Sequence, residues 1–285
     1  MMLKIGIICS DVGWIYDQFL EKFNQYSKHD IIRNPSTLCD VYYYVPYYET
    51  PPKNKIMRPC CAWMSHQETK SPLKEKFISS AKQVDFAISH SKKYADLLTK
   101  HGVQNVKQII PGVDLVLYKT RSTNRPSDTN KLIVGYSGRT YQSSNRKNPE
   151  LIKKISSLQF VEFRATNGNI KSKDMPKFYS DCDVIVQPSL IEGGSMAIQE
   201  SLAVGTPIMC FQDVGVAQEF TTGIIRVDPK DKVNNFLSRL EILWTTRGFE
   251  QYRHAGIMNQ MRDQVMHQTW DVFARRHDSV WESLV

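Results

Sequence analysis

The stretch Pro188-Ser189-Leu190-Ile191-Glu192-Gly193-Gly194-Ser195-Met196-Ala197-Ile198-Gln199-Glu200-Ser201-Leu202-Ala203-Val204-Gly205-Thr206-Pro207 reads as the exit of a strand, a glycine turn and a helix. The run 183–187 predicts the strand, and 196–204 the helix, which stops on Gly205 with Pro207 just beyond. Two glycines let a ligand approach the backbone. The amides of Gly194, Ser195 and Met196, with the helix dipole, make an anion site. Glu192 precedes the turn, and Glu200 lies just over one turn into the helix, where a carboxylate can accept hydrogen bonds from ribose hydroxyls. An acid, a phosphate cradle and a second acid within nine residues suit a nucleotide-sugar better than a bare nucleotide. Two solvated helix-start acids around a plain turn fit the same residues, so the neighbouring sequence has to decide.

On either side, short apolar runs alternate with amphipathic stretches, the pattern of an α/β protein with parallel sheets. The first unit is a strand at 3–9, a turn Ser10-Asp11-Val12-Gly13, and a helix carrying Ile15, Phe19, Phe23 and Tyr26 on one stripe. Strands follow at 41–45, 56–62, 84–88 and 107–110, with helices near 72–82 and 91–100. The polar, turn-rich stretch 121–130 predicts an interdomain linker. A second series opens at Leu132. Asn148-Pro149-Glu150 predicts a helix start with Asn148 as N-cap. Further strands are expected at 159–164, 183–187, 207–211 and 223–227, and helices at 196–204, 231–246 and over much of 251–284. Doubly wound domains of this kind bind ligands beyond the carboxyl ends of their strands.

The chain has 285 residues, of which 41% are hydrophobic and 23% charged, which excludes disordered and fibrous classes. No segment approaches the roughly 18 to 20 uninterrupted apolar residues of a membrane span. The opening residues 1–9 carry Lys4 within their apolar run and read as a buried strand, not a signal peptide. Cys9, Cys39, Cys60, Cys61, Cys182 and Cys210 show no CxxC spacing, which fits free thiols in the cytoplasm. Net charge is +8, and seven basic residues stand against two acidic ones between Lys53 and Lys82. Such a stretch is either a solvated face or a contact for a polyanion: nucleotide phosphates, a nucleic acid, or the inner membrane face met peripherally.

With these residues in place, the chain resembles glycosyltransferase family 4, retaining enzymes of the GT-B fold with two Rossmann-like domains facing a central cleft. Glu192 and Glu200 fall at the acids of that family's E-x7-E motif, Gly205-Thr206-Pro207 at its GTP tripeptide, and Pro188-Ser189 at the preceding PS. Gly135-Tyr136-Ser137-Gly138-Arg139 is similar to the family's strand ending in G-R, and Arg146-Lys147-Asn148-Pro149-Glu150 to its K-N-P-E segment. Ile110-Pro111-Gly112-Val113-Asp114 is similar to its PNGVD segment, and Trp270-Asp271 to its late tryptophan-acid pair. The resemblance runs in order from about residue 84 to the end.

The resemblance implies an N-terminal acceptor-side domain at 1–120, a donor domain at 131–265, and a C-terminal helix at 266–285 returning to the first domain. It implies sugar transfer from a nucleotide diphosphate-sugar to an acceptor hydroxyl, with configuration kept. Arg139 and Lys147 would grip the diphosphate, and Glu192 would contact the transferred sugar. The turn Gly193, Gly194, Ser195, Met196 would hold phosphate, Glu200 the ribose, and the Asn167-Gly168 loop would pass the nucleobase. Two positions depart from the pattern: Ser195 stands where a glycine is usual, and Ala197 where a proline is usual. The segment after Arg139 is also longer than in the family.

In the first domain, Gly13 either lets a ligand approach or starts a helix, and His66 either contacts sugar or is structural. The tyrosines of 42–48 fit a half-buried strand and its loop, or an acceptor-stacking surface. Asp181-Cys182-Asp183 matches a DxD metal motif but runs into an apolar strand, so no metal or other cofactor is expected. His254, His267 and His277 lack ligand spacing. The acceptor stays open between a lipid-linked or cell-surface glycan and a modified nucleic-acid base, and a non-catalytic nucleotide-sugar-binding module is the third reading.

Overall fold

The computed structural model describes residues 1–10, 13–124, 130–139 and 145–285. Turn residues 11–12, linker residues 125–129 and residues 140–144 after Arg139 lie outside them. The chain divides into unit 1, Met1–Gly112 with Gln268–Val285, and unit 2, Val113–His267.

Unit 1 contains β1 (Lys4–Ile8), α1 (Trp14–Tyr26), β2 (Asp30–Arg33), β3 (Val41–Tyr44), β4 (Cys60–Met64), α2 (Leu73–Gln83), β5 (Phe86–Ser89), α3 (Lys92–Lys100) and β6 (Val106–Gln108). Its six-stranded sheet has the order β2-β1-β3-β4-β5-β6, all parallel. Central parallel strands are covered on both faces, which is why Val41-Tyr42-Tyr43-Tyr44 is buried at every position rather than at alternate ones. The half-buried strand expected there is corrected accordingly: Tyr42, Tyr43, Tyr44 and Tyr47 are core residues, and their hydroxyls bond within the unit.

Unit 2 contains β7 (Leu132–Tyr136), α4 (Pro149–Ser156), β8 (Val161–Ala165), α5 (Met175–Ser180), β9 (Val184–Gln187), α6 (Met196–Val204), β10 (Ile208–Phe211), β11 (Ile224–Val227), α7 (Lys232–Thr245) and α8 (Ala255–Asp263). Its sheet runs β11-β10-β9-β7-β8, again all parallel. The chain steps from β7 outward to β8 and returns to place β9 on the other side of β7, so the winding reverses between β7 and β9. Loops leaving the carboxyl ends of such a pair diverge and open a ligand crevice. Here those ends are Tyr136 and Gln187.

The helices expected over much of 251–284, with a separate C-terminal one from 266, are two. A 3₁₀ turn at Glu250–Arg253 precedes α8, and α9 (Trp270–Glu282) starts afresh after Thr269. α9 lies in unit 1. Phe273 stacks on Phe23 with ring centroids 5.3 Å apart, and Trp281 meets Phe23 edge-on at 5.2 Å. Asp278 accepts from Ser27 Oγ at 2.6 Å, tying α9 to the end of α1.

Residues 113–121 belong to unit 2, ahead of the polar stretch read as a linker. Arg262 donates to the carbonyls of Leu115 (2.7 Å), Ala203 (2.8 Å) and Tyr118. Arg121 is buried and donates to Cys182 O at 2.6 Å, and burial lowers its pKa to about 9. Strand β4 begins at Cys60, later than the expected 56, because Pro59 has no N–H for the ladder. Edge strand β2 was not expected.

Candidate active site

α6 is short and buried at all nine positions. Its carboxyl end is stapled: Ser201 Oγ donates to Thr206 O at 2.7 Å, and Thr206 Oγ1 donates to Tyr179 O at 2.9 Å. Held there, its amino end presents Gly194, Ser195 and Met196 beyond β9. Ser195 occupies the N-cap position in extended conformation, but its side chain makes no capping bond. Helix amides of that kind normally find a side chain, water or an anion.

The turn before α6 is packed from behind by Gly215, where a Cβ would run into the carbonyl oxygens of Glu192 and Gly193. Val216 N donates to Gly193 O at 2.8 Å. Glu192 is buried and faces three donors. Lys147 Nζ is bonded to Oε2, Arg146 Nη1 lies 3.4 Å from both oxygens, and Gln187 Nε2 lies 3.4 Å from Oε2. Leu190 N donates to Arg146 O at 2.8 Å, so the backbone fixes the turn carrying both cations against the loop carrying the acid. Arg146, Gln187 and Gly215 were not picked out from sequence. Only the cation run 146–147 carried a readable signal.

Glu200 has different company. Tyr179 Oη donates to Oε2 at 2.7 Å and accepts from Ser137 Oγ at 2.9 Å, and Tyr118 also bonds the carboxylate. Burial raises the Glu200 pKa, and the two tyrosine hydroxyls oppose that shift. Ser137, in the loop after β7, is thus joined to α6 through Tyr179.

Arg139 follows on the same loop. It lies against Gly168, where a Cβ would run into the arginine side chain and where φ is +77°. Asn167 is also left-handed, with φ +48°, a conformation asparagine tolerates better than most residues. Gly138 N donates to Thr166 Oγ1 at 3.1 Å, clipping the two loops together. Unit 2 thus pairs Arg139 with the Asn167-Gly168 loop, and Lys147 with Glu192. Asn148 precedes α4 in left-handed conformation and makes no side-chain cap bond, unlike the cap read from sequence; Ile152 N bonds its backbone carbonyl at 3.2 Å instead.

Gly13 and His66 belong to unit 1. Gly13 is exposed, takes φ +119°, and its amide donates to Asp17 Oδ2 at 3.0 Å at the start of α1. His66 Nε2 pairs with Glu68 Oε1 at 2.9 Å.

Each of the DxD acids meets a cation. Asp183 is fully buried, accepting from Ile133 N at 2.9 Å and from Arg253 Nη2 at 3.0 Å, while Asp181 pairs with Lys177 at 2.7 Å. Among the described residues no three His, Cys, Asp or Glu side chains converge as metal ligands. All six cysteines are free. No helix among the described residues is long and apolar enough to cross a membrane. An open cavity of about 540 Å³ is lined by Arg164, Lys171, Lys173, Lys177 and Asp181, among others; Arg164 is paired with Glu162 and Lys177 with Asp181.

Two doubly wound parallel units define the GT-B class, and solved structures agree. The chain superposes on sucrose-phosphate synthase of Thermosynechococcus elongatus with a TM-score of 0.72 at 14% identity, covering 99% of this chain and 98% of that one. For HepE of Anabaena, solved with UDP-glucose, the values are 0.73 and 13%, over 99% and 100%. For a glycosyltransferase of Rickettsia africae they are 0.63 and 10%, over 99% and 98%. At such identities the likeness is one of fold. Residues 101–246, just over half of the chain, match the glycosyl transferases group 1, and the chain belongs to that family: it is a glycosyltransferase. No curated protein sequence matches it.

Proposed function

We propose that the enzyme is a retaining transferase of family 4 that moves a sugar from a nucleotide diphosphate-sugar to an acceptor hydroxyl without a metal ion. Glu192 and Glu200 are read as the acids of its E-x7-E motif. The diphosphate sits at the amino end of α6, on the amides of Gly193, Gly194, Ser195 and Met196. Lys147 and Arg139 neutralise it and the charge that grows on the leaving group. Glu192 takes the hydroxyls of the transferred sugar and Glu200 those of the ribose, while the Asn167-Gly168 loop passes the base. Gly13 is assigned to donor binding, and His66 to catalysis or contact with the sugar. The leaving diphosphate takes the acceptor's proton, so no protein base is needed. HepE in complex with UDP-glucose supports a donor of this class by likeness of fold.

The observation that carries this reading is the cation pair Arg146 and Lys147 held on Glu192 beside a helix end whose N-cap side chain makes no bond. A thermal-shift screen of UDP-, GDP- and ADP-sugars tests it. A matching donor at a hundred times its Kd adds about 2.7 kcal/mol of stability, a shift of several degrees. If no nucleotide sugar moves the midpoint, the reading fails.

For the acceptor, we infer a lipid-linked or cell-surface glycan. Lys53, Lys55, Lys70 and Lys74 are exposed in the same stretch as the part-exposed apolar residues Met57 and Leu73, a composition suited to an anionic lipid surface. Co-sedimentation with phosphatidylglycerol vesicles, weakened by Lys53→Glu/Lys55→Glu, is the expected result. A salt-sensitive shift of duplex DNA without vesicle binding points to the nucleic-acid acceptor instead.

A further inference from the structure

Gln187 closes β9, directly before Pro188. It is 1% exposed, in a strand whose other residues, Val184, Ile185 and Val186, are wholly buried and apolar. Strand pairing with Cys210 fixes its backbone. Its Nε2 donates to Ser189 Oγ at 2.8 Å and lies 3.4 Å from Glu192 Oε2, the same oxygen that holds Lys147. Among the described residues its buried Oε1 has no hydrogen-bond partner. An orphaned amide oxygen in such surroundings is unfavourable compared with an apolar side chain of similar size. A leucine would serve the core better, so the value of the amide lies in what its nitrogen touches.

We propose that Gln187 is a positioning residue for Glu192 in the transfer reaction, on the reading of the site given above. Lys147 and Arg146 hold Glu192, and a bound diphosphate competes for the same cations. Once they turn to phosphate, the carboxylate needs a donor that stays in place. Gln187 is that donor, because its backbone is locked in the sheet and Ser189 fixes its amide. It keeps the Glu192 oxygens directed at the sugar hydroxyls without touching substrate itself.

The test is Gln187→Leu, assayed for transfer with whichever nucleotide-sugar the wild type turns over. The expected result is a kcat lowered about tenfold, the worth of one hydrogen bond to a charged group. The donor KM should stay within about twofold, and the thermal midpoint should be equal to or above wild type. In a Glu192→Gln background the same change should add little further loss, since both act through one carboxylate. An undiminished kcat, a loss that adds independently of Glu192, or a kcat that falls only with the midpoint would overturn the role of Gln187. Absence of wild-type turnover with every nucleotide-sugar overturns the donor reading itself, and the positioning role with it.

Discussion

The seam between α1 and α9 in unit 1 and the strip from Glu192 to Glu200 in unit 2 both bury titratable side chains, and they give them different partners. In the seam, His277 is enclosed by Phe23, Phe273, Tyr43 and Trp281. Its Nδ1–H donates to Phe273 O at 2.9 Å, which leaves Nε2 to accept from the Tyr43 hydroxyl at 3.2 Å. His90 packs on Trp63 with ring centroids 4.7 Å apart. No carboxylate is among these contacts, and burial pushes both imidazoles toward the neutral form. In the strip, Glu192 is met by two cations and an amide, and Glu200 by hydroxyls. Burial pushes the imidazoles and Glu200 toward their neutral forms, whereas Glu192 is buried against two counter-charges.

The comparison predicts opposite responses to pH. His277 releases its proton in the folded chain down to about pH 3, against 6.5 for the free group. Between those values the unfolded chain binds the extra proton, so stability falls as pH drops through that window. His277→Phe should therefore gain on wild type by up to about 1.4 kcal/mol per pH unit as pH falls from 6 to 4, read as thermal midpoints. Glu200 is shifted the other way, above 4.5. Its contribution is fully present below that value and is lost as pH rises through the raised pKa. Glu200→Gln should thus gain on wild type as pH rises from 4 to 8, by a smaller margin because Tyr179 and Tyr118 stabilise the carboxylate. Gaps that do not change with pH would remove the distinction between the two regions.

Much of the second sheet was readable because its strands are bounded by glycine, proline and charge, and because α6 is framed by Gly193-Gly194 and Gly205. The break between α8 and α9 was placed near 266 only through the family resemblance, since 264–269 has no glycine or proline to mark it. β2 is four residues long at a sheet edge, too short to show a period. Of the site, the paired acids and the cation run were legible as residue types at a spacing. Gln187 was not, because in one dimension it is only the polar end of an apolar strand. Its meaning depends on an orphaned oxygen and on a carboxylate brought back to it by the turn. Tyr179 and Tyr118 carry no such signal either; only the fold brings their hydroxyls to Glu200.

Calorimetric titration of wild type and Lys147→Met with the donor found in the thermal screen is the most direct test of the anion cradle at α6. Loss of one charge-assisted contact should weaken binding by about tenfold or more, with a thermal midpoint close to wild type because Arg146 and Gln187 still face Glu192. Equal affinity in the two proteins, or no heat from any nucleotide-sugar with wild type, would contradict it.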